Sequence, residues 1–357
     1  MTRITTWSAP PTPLPASRRA AGAPPNPQND QASRLRALVG AADQHPGPSH
    51  TSSTAPPAPA IVEPRPLAWT LAIASGKGGV GKTNLAINLA LAFAEAGLNT
   101  TLLDGDLGLA NADILLGLRG GPHLGDVLDG RRSLDQIAVR VTPGFTLIPG
   151  ASGIAAMANL DDRRRAALRD LIARAAQTSD LLLFDCGAGI GPGVLALMAA
   201  ADRTLIVTTP EPPSIADAYA LIKCSVTTRL AAQAPSPAIS LVVNQASNQA
   251  EGERVHARVG AVCRRFLSYE LPLAAVVTHD EHVRRAVRDR RPFLSAAPKS
   301  PAARSVRNLS GSLIQHMVSD RSIASIGSSG LNLMPTNKAG ALTRLLRSLG
   351  LAAPATH

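Results

Sequence analysis

The run Gly76-Lys77-Gly78-Gly79-Val80-Gly81-Lys82-Thr83 sets glycines, two lysines and a hydroxyl between an apolar stretch and a helical pattern. That combination suits polyphosphate binding. Glycines let successive backbone N–H groups curl around phosphate oxygens, and the start of the following helix adds a favourable dipole. In such a loop, running on to Asn84, Lys82 would bridge the β- and γ-phosphates and the Thr83 hydroxyl would ligate Mg²⁺. The bland alternative is a glycine-rich turn with no ligand. The closing Lys-Thr pair between strand and helix weighs against it.

Two acidic segments follow. The apolar run ending at Asp104 continues as Gly105-Asp106-Leu107-Gly108-Leu109-Ala110-Asn111, and Leu181-Leu182-Leu183-Phe184-Asp185 leads into Cys186-Gly187-Ala188-Gly189-Ile190. Strand C-termini in a parallel sheet face the ligand crevice. Asp185 would hold Mg²⁺ through water, and the glycines after it would sense a γ-phosphate. Asp104 would be structural or stand behind the metal. A single strand-end carboxylate often only caps a turn; three motifs in this order say more.

A parallel sheet is what could bring these segments together. Strand-like runs fall at Trp69–Ser75, Thr100–Asp104, Phe145–Ile148, Leu181–Asp185, Thr204–Thr208, Ile239–Asn244 and Leu271–Val277. Helical patterns lie between them at Lys82–Ala96, Asp161–Gln177, Ser214–Ala232, Gly252–Phe266 and Glu281–Asp289, with a last one at Arg304–Val318. Unpatterned apolar strands alternating with helices predict an α/β fold, a mostly parallel sheet covered by helices on both faces.

The rest of the chain reads differently. Residues 1–66 are rich in Pro, Ala, Ser and Thr, a composition expected to stay disordered. Within this arm, residues 29–40 form an amphipathic island with apolar Ala32, Leu35, Leu38 and Val39, a candidate docking helix. Residues 67–318 are expected to form the folded domain. A Ser/Gly-rich connection, Ser319–Gly330, would lead to an amphipathic end with Leu342, Leu345, Leu346 and Leu349 on one face and Arg344 and Arg347 beside it. That end reads as an interfacial membrane helix, or as a helix packed on the core or on another subunit. Of the net +11, residues 299–357 hold seven basic groups against one acid, and residues 1–65 six against three. Basic tails point to anionic lipid or nucleic acid, or only to solubility. Three cysteines without C-x-x-C spacing suit a reducing cytoplasm and speak against a zinc ribbon or iron–sulfur carrier. No secretory leader and no run of ~18 apolar residues is apparent.

Lys77, five positions before Lys82, gives a K-G-G-V-G-K-T loop. That loop resembles the deviant Walker A motif of the MinD/ParA family of P-loop ATPases. The resemblance implies that Lys77 reaches the partner's nucleotide across an ATP-dependent homodimer, as an arginine finger does; the alternative is a solvated loop residue. It also implies that Asp106 orients the attacking water beside the metal, and that Asn244 reads the adenine edge, the alternative being a turn cap. The family's Pro-containing base loop is altered here to Val277-Thr278-His279-Asp280. Three further stretches look like the FlhG (FleN, YlxH) branch. They are Asp106–Asn111 before Ala112–Gly117, Thr208-Thr209-Pro210-Glu211-Pro212, and the arm segment Asp30-Gln31-Ala32-Ser33-Arg34-Leu35-Arg36. In that branch Asp30, Gln31, Ala32, Leu35 and Arg36 would dock on an FlhF-type GTPase and stimulate it. The C-terminal helix would bind anionic inner-membrane lipid.

The expected function is therefore a dimerising ATPase switch with ATP and Mg²⁺, controlling flagellar number or placement. It would cycle between the cytoplasm and the inner face of the cell membrane. The competing expectations are a ParA-type DNA-partitioning ATPase and a nucleotide-gated scaffold with little turnover. The Asp30–Arg36 element and the apolar tail face speak against DNA, and Asp106 against the scaffold.

Overall fold

Seven buried residues in a row, Trp69–Ser75, form the first strand, β1. Burial on both faces is what a central parallel strand requires. The structure is a computed structural model that describes residues 67–106, 110–118, 120–151, 161–231, 233 and 237–326, with side chains as far as 320. The other strands are β2 (Thr100–Gly105), β3 (Val139–Thr142), β4 (Phe145–Ile148), β5 (Leu181–Ala188), β6 (Arg203–Thr208), β7 (Ile239–Ala246) and β8 (Leu273–Thr278). They make one sheet ordered β3-β4-β2-β5-β1-β6-β7-β8, parallel except at the β3–β4 edge. The register aligns the motifs: Asp104 of β2 lies beside Asp185 of β5, and Ile73 of β1 lies on its other side.

The helices are α1 (Lys82–Glu95), α2 (Ala112–Leu115), α3 (Leu124–Leu128), α4 (Leu134–Ile137), α5 (Asp162–Thr178), α6 (Pro192–Ala200), α7 (Pro212–Ala231), α8 (Gln249–Leu267), α9 (Glu281–Arg288), α10 (Phe293–Ala296) and α11 (Pro301–Ile326). Alternate residues of each strand face opposite sides. Leu71, Ile73, Leu102 and Leu183 pack with α1 and α11; Ala72, Ala74, Leu103 and Phe184 pack with α5, α6, α7 and α8. The core uses few aromatic rings, in keeping with an aromatic content of 3%.

Besides the short helices α2, α3, α4 and α10, which carried no expectation, and end shifts of a few residues, the structure departs from the sequence reading in three places. First, β5 runs past Asp185 to Ala188, because Gly105 of β2 and Ser75 of β1 continue to pair with it. Second, β3 and α6 were not expected. The former is a half-exposed, four-residue edge strand, and the latter is apolar all round, so neither has a marked period. Third, the last helix does not stop at Val318 but continues to Ile326. No glycine or proline interrupts 319–326. Asp320 also ties that end to the sheet, accepting from Trp69 Nε1 at 3.3 Å and pairing with Arg203 at 3.4 Å. The docking element at 29–40 and the tail at 342–349 lie outside the described residues.

Candidate functional site

At its C-terminal end β1 passes directly into the glycine loop. A Cβ at Gly76 would strike the backbone carbonyl of Asp217 on α7, so only glycine fits. Gly79 and Gly81 take φ of 81° and 86°, the left-handed region that side chains disfavour. Gly81 is also the N-cap of α1, which aims the first N–H groups of that helix into the loop. Asn244, from the end of β7, donates from Nδ2 to the Val80 carbonyl at 2.8 Å, pinning the loop from the far side. A Cβ on Gly81 would lie 2.5 Å from that nitrogen.

Inside the loop, Lys82 Nζ pairs with Asp185 Oδ1 at 2.8 Å, and both groups are buried. Burial alone would lower the lysine pKa; the charge and hydrogen bond of Asp185 outweigh it and hold the ammonium above its ordinary value. Burial pushes the Asp185 carboxyl up, opposed by Lys82 and the Thr83 hydroxyl. Its second oxygen, Oδ2, makes no hydrogen bond of ordinary geometry among the described residues. Asp104 is buried next to it and accepts from the backbone N–H groups of Asp106, Asn111 and Ala112 at 3.1–3.2 Å. Burial and then the charge of Asp185 push the Asp104 carboxyl up to about 7. Asp106 lies against Gly187, its Oδ1 3.6 Å from where a Cβ on that glycine would be.

No group of three His, Cys, Asp or Glu side chains forms a metal cage among the described residues. Mg²⁺ seldom needs one, since it keeps waters and takes phosphate oxygens with one or two protein groups. The buried, unpartnered Asp185 Oδ2 beside the Thr83 hydroxyl fits such an ion.

Next to the loop opens a cavity of about 580 Å³ whose walls include Asn84, Asn244, His279, Arg284, Arg288 and Phe293. The altered base loop, Thr278 to Asp280, forms part of that wall. Arg284 and Arg288 escaped the sequence reading. The signal that could have found them is the i, i+4 arginine spacing on α9. Lys77 points elsewhere: its Nζ is 3.1 Å from Glu211 Oε2, on the exposed side of the loop. The structure thus gathers Lys82, Thr83, Asp104, Asp106, Asp185 and Asn244 around one crevice and leaves Lys77 on its rim.

Comparison with known proteins agrees with this geometry. Residues 71–293 match the CbiA family, the CobQ/CobB/MinD/ParA nucleotide binding domain. The chain is 40% identical over 233 residues to the antiactivator FleN of Pseudomonas aeruginosa, covering 65% of this chain and 81% of that protein. It is 32% identical over 250 residues to the flagellum site-determining protein YlxH of Helicobacter pylori, covering 69% and 82%. Among solved structures, the septum site-determining protein MinD of Pyrococcus horikoshii, complexed with Mg-ADP, superposes with a TM-score of 0.56 at 24% identity. That alignment covers 69% of this chain and 96% of the other, and shows a shared fold. With the family match spanning most of the sheet and its crevice, the chain belongs to the CobQ/CobB/MinD/ParA nucleotide-binding family and is a P-loop ATPase of the FleN and YlxH type.

Proposed function

We propose that the chain is a dimerising switch, driven by ATP and Mg²⁺, that regulates the number or placement of flagella. The observation that carries it is the buried Lys82–Asp185 pair inside a glycine loop, in a chain 40% identical to FleN. A triphosphate offers Lys82 a stronger anionic partner than Asp185 does. Lys82 then turns to the β- and γ-phosphates, already protonated, and Asp185 is released. Thr83, Asp185 and Asp106 would hold Mg²⁺, which when bound neutralises charge developing on the phosphates. The residues from Gly76 to Asn84 cradle the phosphates, and Asp106 orients the attacking water. Asn244 spends its Nδ2 on Val80 and keeps Oδ1 to accept from the adenine amino group.

Lys77, held by Glu211 on the rim, belongs to the second half of this scheme. In a face-to-face pair of chains it leaves Glu211 and reaches the partner's nucleotide, making turnover conditional on dimerisation. Outside the ATPase domain at 67–318, the arm residues Asp30, Gln31, Ala32, Leu35 and Arg36 engage an FlhF-type GTPase. At the other end Leu342, Leu345, Leu346 and Leu349, flanked by Arg344 and Arg347, bury in anionic inner-membrane lipid when ATP closes the dimer. No helix among the described residues is long and apolar enough to cross a membrane, so the reading is of reversible, peripheral attachment.

The test combines turnover with vesicle sedimentation in ATP, ADP and no nucleotide. The unaltered chain should pellet with anionic vesicles in ATP only. Lys77→Ala should keep nucleotide binding and lose on the order of a hundredfold or more in turnover. Equal pelleting in all three states, or full turnover without Lys77, would overturn the switch.

A further inference from the structure

Three of the large apolar side chains exposed among the described residues, Leu230 (76%), Phe266 (64%) and Val318 (53%), share one edge of the molecule. The connectivity puts them there. Helices α7 and α8 run back along the sheet to feed the starts of β7 and β8, so Leu230 and Phe266, near their last turns, sit at the N-terminal ends of the strands. Helix α11 begins beside Asp280, to which Ala302 donates at 3.1 Å, and ends where Asp320 meets Trp69 and Arg203, the first residues of β1 and β6. Val318 therefore lies at the same edge, on the opposite face of the sheet from Leu230 and Phe266. The nucleotide crevice occupies the opposite edge, with the other two exposed apolar residues, Ile114 and Ile190.

Arg264 and Arg265 precede Phe266 in the sequence, while Arg229 before Leu230 donates to the Ala199 carbonyl at 2.7 Å. The Arg265 guanidinium lies 5.3 Å over the Phe266 ring and has no carboxylate partner among the described residues. Asp202 accepts from Thr70, Asp180 from Asn99, and Asp320 pairs with Arg203, while Glu270 answers Arg264 at 3.4 Å. An apolar tip with a guanidinium beside it matches the interface of an anionic bilayer, where the ring enters the acyl boundary and the charge stays with the headgroups.

We propose that this edge is a second lipid-contacting surface. Leu230 and Phe266 insert at the headgroup boundary of an anionic bilayer, and Arg264 and Arg265 beside Phe266 engage lipid phosphates. The proposal rests on the reading that the C-terminal tail binds such a bilayer, and adds a contact made by the folded body. It also sets the orientation, with the strand N-termini towards lipid and the nucleotide crevice towards the cytoplasm.

The test uses the full chain with ATP and phosphatidylglycerol-containing vesicles. Leu230→Ser with Phe266→Ser should weaken partitioning about tenfold, and emission gained in a Phe266→Trp variant should be quenched by brominated lipid. If the serine variant pellets like the unaltered chain and the Phe266→Trp emission is unquenched, the proposal is overturned while tail binding stands. The patch would then belong to a protein partner. If the unaltered chain does not pellet in ATP, both readings fall.

Discussion

Asp104 accepts three N–H bonds from the loop after β2, and its carboxyl is nevertheless pushed up to about 7 by burial and the neighbouring Asp185 charge. An aspartate in the unfolded chain titrates near about 3.9. The nucleotide-free fold therefore binds this proton more tightly than the unfolded chain does. Its contribution to stability is complete below about pH 4 and is lost as pH rises towards about 7, by up to about 4 kcal/mol. Melting temperatures of the nucleotide-free chain should fall between about pH 4 and 7, and Asp104→Asn should flatten that slope. An identical slope in the variant would show that other groups set it. The sequence marked Asp104 as structural or behind the metal. It gave no hint that this residue organises the next loop, because the N–H donors are backbone groups with no residue-type signature.

At the scale of elements, Asn88 shows how the cavity wall is held. It is fully buried on α1, donates to the Asn84 carbonyl at 2.7 Å, and accepts from the Leu294 N–H at 2.8 Å, fixing α10 and its Phe293 against the pocket. Asn88→Ala would strand that N–H, so stability to urea should fall by about 1–3 kcal/mol, with weaker nucleotide binding. A stability unchanged within error would mean water replaces the side chain. Such links are invisible to a local reading: Asn88 and Leu294, like Lys82 and Asp185, are far apart in sequence. What could be read locally was read well. The bounds of β1 and β4 follow from short, mainly apolar runs, and α1 starts where the glycines stop. Misses fell where period is weak, at β3, α6 and the short helices α2, α3 and α4, and where a tertiary tie extends an element, as Asp320 does for α11. Of the crevice, the loop and its carboxylates were legible from residue type and order. Arg284 and Arg288 were not, because only the fold shows which face of α9 meets the cavity.

The described part of the molecule separates its ends, with the nucleotide crevice at the strand C-termini and the far end of α11 at the N-termini. The two are joined by α11, which starts at Asp280 on the cavity wall and ends at Asp320. If this rod is the mechanical link, loosening its far end should leave the crevice intact. Asp320→Ala should speed hydrogen exchange in the last two turns of α11 several-fold with little change in ATP affinity. Exchange unaltered there would show that apolar packing alone seats the helix. The same contact gives the chain a native optical signal. It has two tryptophans, Trp7 and Trp69, and the Trp69 indole is 4% exposed with its N–H on Asp320. With Trp7 replaced by Phe, the remaining emission comes from a single ring against the rod's last turns. A red shift on adding ATP would then report, label-free and in real time, that the end carrying the tail has lifted from the sheet.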